Sequence, residues 1–407
     1  MTYQQSRIGR IRVAEQSAWG TAATSFTHAV EAEVGAYPAL ATEAIMTDAL
    51  TAHHYHSAVI SGSKVGGTLS LTIPIHGWSS SSDPSTCAAG DRTADQIFVE
   101  HALGSMFYGN RTAETTSLTG GSTTSATFAA GNVPTDVRSG EAILVPISGG
   151  YSVGWVQTQD VDGGGGSDSL TLSNELADTP SSSGHCYGGM TAAMTNGTTT
   201  TPLTIQYQMA NSNSVVRLVD CVVTSLSIDI NPKEQPKMTI ELQAGDWVND
   251  GTGGAPGNYD YASTGQLPVA IGANGSRLLL GGTASNVASF NIAFTNEIVE
   301  AKSHASSQGL AQFVCVNRSC AVSYTMPAET ITAQQPGHTQ RIQLDVGANT
   351  VGNCLSVYIP SGVLTSQAAL GDSDGLIAET FEYAAGLFMS DSTNTAPGNT
   401  SARIAFL

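Results

Sequence analysis

Four histidines, His53, His54, His56 and His76, are the first residues in the chain whose type and spacing suit metal chemistry. Side chains alternate along a strand, so His54 and His56 would share one face, an arrangement that lets two imidazoles chelate Zn²⁺. No cysteine or carboxylate stands at a matched spacing to complete the set, and a polar or interface cluster is the plainer expectation. Cys315 and Cys320 resemble half of a zinc ribbon, but no second pair follows at ribbon spacing. Asp160-Val161-Asp162-Gly163-Gly164 begins like a calcium loop and lacks the glutamate that closes one. Gly371-Asp372-Ser373-Asp374-Gly375 departs from the G-x-S-x-G form and has no histidine in a supporting context, so it reads as a turn. There is no P-loop, dinucleotide fingerprint or H-E-x-x-H motif. The paired carboxylates of a glycosidase can lie far apart in a chain, and nothing nominates such a pair. The expectation is a protein that is not an enzyme, with no cofactor and no metal.

The composition explains what this chemically sparse chain is built for. It has 407 residues, enough for two or three domains, with 44 Gly and a charged content of only 12%. Abundant Gly, Ser and Thr with ordinary aliphatic content suit an all-β protein with many turns and polar-faced strands. The formal net charge of −18 repels phosphate and argues against specific nucleic-acid binding. Lysine is confined to Lys64, Lys233, Lys237 and Lys302, so no basic patch forms. The opening MTYQQSRIGRIRVAEQ has no apolar stretch of the signal-peptide kind, and no run approaches the length of a membrane span. Cys87, Cys186, Cys221, Cys315, Cys320 and Cys354 are dispersed, which fits free, mostly buried thiols in a protein made in a reducing cytosol.

The clearest element is Asp220–Val248, DCVVTSLSIDINPKEQPKMTIELQAGDWV. Val222, Leu226, Ile228 and Ile230 fall on even positions, with Ser225, Ser227 and Asp229 between them. Met238, Ile240 and Leu242 are again even, and Thr239, Glu241 and Gln243 are odd. Each arm is therefore a strand with one buried and one wet face. Pairing Ile230 with Pro236 leaves the loop 231–235 and sets Asp229 opposite Lys237 as a cross-strand ion pair. Lys64–Trp78 is a second such strand. Val65, Leu69, Leu71, Ile73 and Ile75 alternate there with Thr68, Ser70, Thr72, Pro74 and His76. Pro74 lacks an N–H and marks an edge or the end of a ladder.

Around these strands the chain divides into four stretches. Residues 1–109 hold a first strand near Ile8–Thr21, an aperiodic stretch His28–His56, and a helix over Thr93–Phe107. Residues 110–189 alternate short strands with Gly-rich turns, as expected of a small inserted β domain. Residues 190–250 contain the hairpin. Residues 251–407 offer a series of strands without a helix, a C-terminal β domain. The stretch His28–His56 carries Glu31, Glu33, Glu43 and Asp48. Its length and lack of period suit an extended arm that packs on a neighbouring assembly.

The order of these pieces resembles the tail tube (major tail) proteins of long-tailed, siphovirus-like bacteriophages. The carrying residues are Glu15-Gln16-Ser17-Ala18-Trp19-Gly20-Thr21, then Ser61-Gly62-Ser63-Lys64-Val65-Gly66-Gly67-Thr68-Leu69-Ser70-Leu71. After them come His101-Ala102-Leu103-Gly104-Ser105, the hairpin Asp220–Val248, and Val287–Asn296. The likeness covers 7–109 and 202–407 and leaves out the insert. It implies a β-sandwich or barrel-like tube domain with one flanking helix. It also implies rings, usually of six, whose inner hairpins join into one β-barrel around a channel. Thr68, Ser70, Thr72, Ser225, Ser227, Asp229, Thr239, Glu241 and Gln243 would face that lumen, and Glu31, Glu33, Glu43 and Asp48 would lie on the inter-ring arm. A hexamer is the expected ring. If the C-terminal segment is a second tube-like copy, three chains would make a pseudo-six-fold ring instead. The implied partners are further copies of the chain, tail tape-measure, tail terminator and tail-tip proteins, and phage DNA in transit without specific binding. The implied place is the virion tail, after synthesis in the host cytoplasm, with no membrane. The alternatives are a β-rich phage adhesin, for which Tyr151, Trp155, Tyr259 and Tyr261 are the candidate contact aromatics, and a polysaccharide-cleaving enzyme.

Overall fold

Period-two patterning is what the chain has in greatest supply, and it folds almost wholly into strands. A computed structural model describes residues 10–26, 28–33, 37–47, 58–77, 92–108, 118–133, 137–160, 166–195, 201–208, 215–231, 234–249, 269, 277–304, 309–328, 334–347, 351–373, 375–387 and 397–407, with backbone alone for 41–47 and 58–65. The chain is mainly β, with one α-helix among the described residues. The first elements are Arg10–Glu15 (β1), His28–Val30 (β2), Ala39–Thr47 (β3), Ala58–Pro74 (β4), the helix Ala94–Leu103 (α1) and Met106–Tyr108 (β5). The insert contributes Leu118–Ser122 (β6), Ser125–Phe128 (β7), Ala142–Ile147 (β8), Gly150–Asp160 (β9), Asp168–Leu172 (β10) and Tyr187–Gly188 (β11). Then come Met190–Ala193 (β12), Leu203–Gln208 (β13), Val215–Ile230 (β14), Lys237–Gln243 (β15) and Asp246–Asn249 (β16). The remainder are Arg277–Leu280 (β17), Thr283–Ser285 (β18), Ser289–Lys302 (β19), Leu310–Pro327 (β20), Thr339–Gly347 (β21), Cys354–Leu364 (β22), Ala369–Ser373 (β23), Leu376–Ala385 (β24) and Arg403–Phe406 (β25).

The hairpin β14–β15 forms with the expected register, Asp229 opposite Lys237. It lies in the middle of a front sheet ordered β3-β4-β15-β14-β19-β20-β24-β23, with every neighbour antiparallel. One face of this sheet is apolar row by row. Ile73, Met238, Ile228, Ile292, Val322 and Tyr383 line up across six strands, all buried. The even-numbered set fails at one point: a bulge between Val223 and Ser225 reverses the alternation, so Val223, not Val222, continues the main core.

The apolar face is covered by a back layer. β14 itself crosses into it, because its first half pairs with β13 and β16, and β13 pairs with β1, which pairs with β2. The crossing is fixed at Asp220, whose φ is +56°. The Asp220 carboxylate accepts from Gln16 Nε2 at 3.0 Å and from the Gly20 N–H at 2.8 Å, and the Asp220 N–H donates to Gln16 Oε1 at 2.8 Å. The rest of the layer runs β18-β17-β21-β22-β25-β12-β5. Helix α1 starts where the Thr93 N–H donates to the Gln96 side chain at 3.0 Å, and it buries Ile97, Phe98, Val99, Ala102 and Leu103. It is shorter than expected. Gly104, at φ +99°, ends it with its N–H on the Glu100 carbonyl, and Met106 and Phe107 become strand β5.

The strands beyond residue 251 extend the front sheet through β14–β19 and share one core with the first part, from Ile11 through Leu226 and Ile292 to Phe406. They do not close a body of their own. The insert does have its own six-stranded sheet and its own core around Phe128, Val145 and Leu170. It docks on the outer side of the back layer. Trp155 stacks on Tyr358 at 5.1 Å and donates to Ser356 Oγ, and Leu144, Ala405 and Leu407 pack beside them. The described part of the stretch 28–56, residues 28–33 and 37–47, also differs from the expectation of a free arm. β2 pairs with β1, and β3 folds back on β4 of the same chain. Two bulges in β3, between Ala39 and Ala41 and between Thr42 and Ala44, break the alternation that would have revealed it.

Parity predicts opposite outcomes for adjacent substitutions on β14. Leu226→Asp buries an unpaired carboxylate and should cost more than about 4 kcal/mol in urea denaturation, enough to lose the folded chain. Ser227→Asp, one residue on and on the wet face, should change stability by no more than about 0.5 kcal/mol.

Candidate functional site

The uncovered face of the front sheet is chemically uniform. Its central row is Thr72, Thr239, Ser227, Ala293, Ala321 and Ala384, in register across six strands. The row on one side is Ser70, Glu241, Ser225, Thr295 and Ser319. On the other side it is Pro74, Lys237, Asp229, Asn291, Ser323 and Glu382. These rows hold no aromatic residue, and Lys237 is their one cation. Side chains on the face bond to one another: Ser225 Oγ donates to Glu241 at 3.0 Å, Thr72 and Thr239 hydroxyls meet at 3.3 Å, and Asn291 donates to Asp229 at 2.5 Å. The face is thus one of mostly short side chains, several of which bond to one another rather than to a neighbouring layer.

All nine residues expected on one polar surface, Thr68, Ser70, Thr72, Ser225, Ser227, Asp229, Thr239, Glu241 and Gln243, do share this face. Sequence reasoning missed its second half, from Asn291 to Glu382, because the adjacency of β14 and β19 is not written in either strand. The acidic residues assigned to an arm are placed differently. Glu33 pairs with Lys237 at 2.5 Å, so Lys237 is held by Glu33 rather than by Asp229 opposite it. Glu31 lies 3.4 Å from His76. Both are engaged within the chain. Asp48, His53, His54, His56, Asp162, Tyr259 and Tyr261 lie outside the described residues, as does the Glu43 side chain. Of the other candidate aromatics, Trp155 is fully buried and Tyr151 stacks edge-on against Tyr187. Cys315 and Cys320 are free and buried. Among the described residues no three His, Cys, Asp or Glu side chains gather as a metal set.

Two features set the limits of the face. First, the strand order repeats. β3-β4-β15-β14 places a hairpin beside the second strand of a later hairpin, whose first strand lies outermost. β19-β20-β24-β23 has the same order. The junction between the two fours is β14–β19. Second, the sheet has free outer strands: among the described residues β3 pairs only with β4, and β23 only with β24, while the end of β24, Tyr383–Ala385, is covered by Gly362–Leu364 of β22. The β23–β24 edge exposes Leu370, Leu376 and Ile377, the last at 66%, and the β3 edge exposes Leu40. By parity Leu370 and Ile377 project to the same side as Phe381 and Tyr383, continuing the apolar face past its own cover.

Ion pairs fasten the N-terminal segment beside the face. Glu15 meets Arg92 at 2.9 Å and His101 at 3.3 Å, and these partners hold its carboxyl at about 2, His101 foremost, against the opposing effect of burial. Burial alone would lower the His76 pKa, but Asp95 and Glu31, each 3.4 Å away, raise it above 6.5. No protein-family model matches the chain, and no curated protein matches it. No described helix is long and apolar enough to cross a membrane.

The two ion-pair clusters predict a pH profile. The Glu15 contribution is present above about pH 4.5 and is lost as pH falls towards about 2. The His76 contribution is complete below pH 6.5 and is lost as pH rises through its raised pKa. His76→Gln should therefore flatten the decline in unfolding free energy above pH 6.5 while leaving the acid limb in place.

Proposed function

We propose that this chain is a structural virion protein that polymerises into stacked rings forming a phage tail tube. The observation that carries the reading is the repeated four-strand order in one antiparallel sheet with free outer strands, apolar behind and short-chained polar in front. An edge strand with free backbone groups and an apolar rim is a pairing surface, and closure into a barrel removes it. Eight is an even number, so β23 of one chain runs antiparallel to β3 of the next, as β14 does to β19 within the chain. One chain cannot close usefully alone, because an eight-stranded barrel is filled by its own side chains.

The repeat favours three chains over six. If each four-strand unit equals one subunit of the six-fold rings that the family resemblance implies, three chains of eight strands complete the ring. Twenty-four strands at about 4.8 Å spacing and about 40° tilt enclose a barrel roughly 48 Å across, wide enough for a DNA duplex. The Ser, Thr, Ala and acidic rows would line that lumen, and a negative, unadhesive wall does not hold phosphates in transit. The insert, docked behind the back layer, would then lie on the outer wall. The ring's partners would be its own copies, tape-measure, terminator and tail-tip proteins, and DNA passing without specific contact. No comparable observation favours an adhesin.

The test is at the edge. Leu370→Asp with Ile377→Asp changes two exposed side chains, so the single chain should keep its melting temperature within a few degrees. Sedimentation and negative-stain images should show rings or tubes for the parent chain and none for the variant. Tubes from the variant would refute closure through β23, and no ring or tube from the parent chain under any assembly condition would refute the reading itself.

A further inference from the structure

A cavity of about 570 Å³ opens in the seam between the insert and the outer side of the back layer. Strand parity aims charged residues at this seam. On β21, Ile342, Leu344 and Val346 enter the main core, which turns Arg341, Gln343 and Asp345 toward the insert. On β25, Ile404 and Phe406 enter the core, which turns Arg403, Ala405 and Leu407 outward. Asp345 is already saturated: Arg277 Nε donates at 2.8 Å, Gln343 Nε2 at 2.9 Å and Ser356 Oγ at 2.6 Å.

Arg341 and Arg403 both line the cavity, and neither pairs with a carboxylate among the described residues. Arg341 donates to the Ser173 carbonyl, which belongs to the insert. Arg403 is 2% exposed, donates to the Gly398 carbonyl and lies over the Tyr358 ring at 5.5 Å, and its Nε has no partner. Burial pushes its pKa down to about 10. A buried guanidinium without a counter-charge is costly. Elsewhere in this chain of formal charge −18, Arg92, Lys237 and Arg277 have carboxylate partners, and Arg217 and Arg318 donate to backbone carbonyls. Among the described residues no Asp or Glu lines the cavity; the rim adds Ser139, Gln157, Gln340 and His338.

We propose that this seam cavity binds a small oxyanion, a phosphate or carboxylate on a hydroxylated body, with Arg341 and Arg403 as its anchoring cations. Guanidinium groups match such oxyanions in planar, charge-assisted hydrogen bonds. The volume falls in the range of small-molecule sites, roughly 300–1,000 Å³, and exceeds what a bare ion fills. Hydroxyl and amide groups on the rim suit the remainder of the ligand. The inference does not depend on the tube reading, because the seam lies within one chain.

Calorimetric titration of the full chain with inorganic phosphate, glucose 6-phosphate and glucose, at constant ionic strength in chloride, tests it. One saturable site per chain is expected for the ester, millimolar or tighter, with weaker binding of phosphate and none of glucose. Arg341→Gln should weaken ester binding about tenfold or more. Gln157→Glu alters an exposed rim residue, removes no structural donor, and should do the same with an unchanged melting temperature. Equal affinity for phosphate and the ester would keep the anion anchor and assign the site to the free ion. No saturable heat from either anion, glucose binding as tightly as the ester, or unchanged affinity in both variants would overturn the proposal.

Discussion

An antiparallel sheet that stays open leaves a row of unpaired N–H and C=O groups along each outer strand. In this chain the two rows belong to β3 and β23, at opposite ends of eight strands. Everything else in the fold raises the consequence of those edges. The back layer buries one face of the sheet, so the sheet cannot roll up with that face outward. The apolar face nevertheless runs on past its cover at Leu370 and Ile377. Edge strands in monomeric proteins are usually shortened, charged or covered; here one edge carries aliphatic side chains instead. Satisfying both the backbone and the rim calls for another strand and another covering layer, and in the proposed ring a second copy of the chain would bring both.

The internal junction β14–β19 is a working example of that contact. It joins the last strand of one four-strand unit to the first strand of the next, with Leu226 against Phe294 and Ile228 against Ile292 on the apolar side. On the other side Ser227 faces Ala293 and Asp229 faces Asn291. The same contact between chains would set polar face beside polar face around a ring, through the part of β24 that β23 covers, Leu376–Thr380. The clamp at Asp220 matters because β14 belongs to both layers: its bend sets the angle between the front sheet and the cover, and hence the direction in which the edges point.

Much of this was legible as alternation. The register of β14–β15, the polar set on β4, seven of the nine strands after residue 251 and the separate strands of the insert all follow from parity and turn residues; β18 and β23 do not, and Gly371, Asp372 and Ser373, expected in a turn, lie in strand β23. What was not legible has specific causes. β3 is interrupted by two bulges, so its apolar residues lose their period. The bulge at Thr224 shifts the core position from Val222 to Val223. Gly104 stops the helix inside a run whose apolar spacing continues to Phe107. The repeat is invisible in sequence because different material separates the paired hairpins: a helix and the whole insert in the first unit, β21 and β22 in the second. The convergence of Arg341 and Arg403 on one cavity comes from β22, which pairs with both their strands, and neither strand carries a local signal for it. Trp155, a candidate contact aromatic by its setting in a Gly-rich stretch, is consumed in docking the insert on Tyr358.

The central claim is that each chain supplies two equivalent half-sheets of four strands, joined inside the chain as chains are joined to each other. End-on class averages of assembled rings measure this directly. The account predicts three-fold symmetry, with six similar inner lobes and three outer densities from the insert. A ring with six-fold symmetry at the level of whole chains, carrying six insert densities, would contradict it.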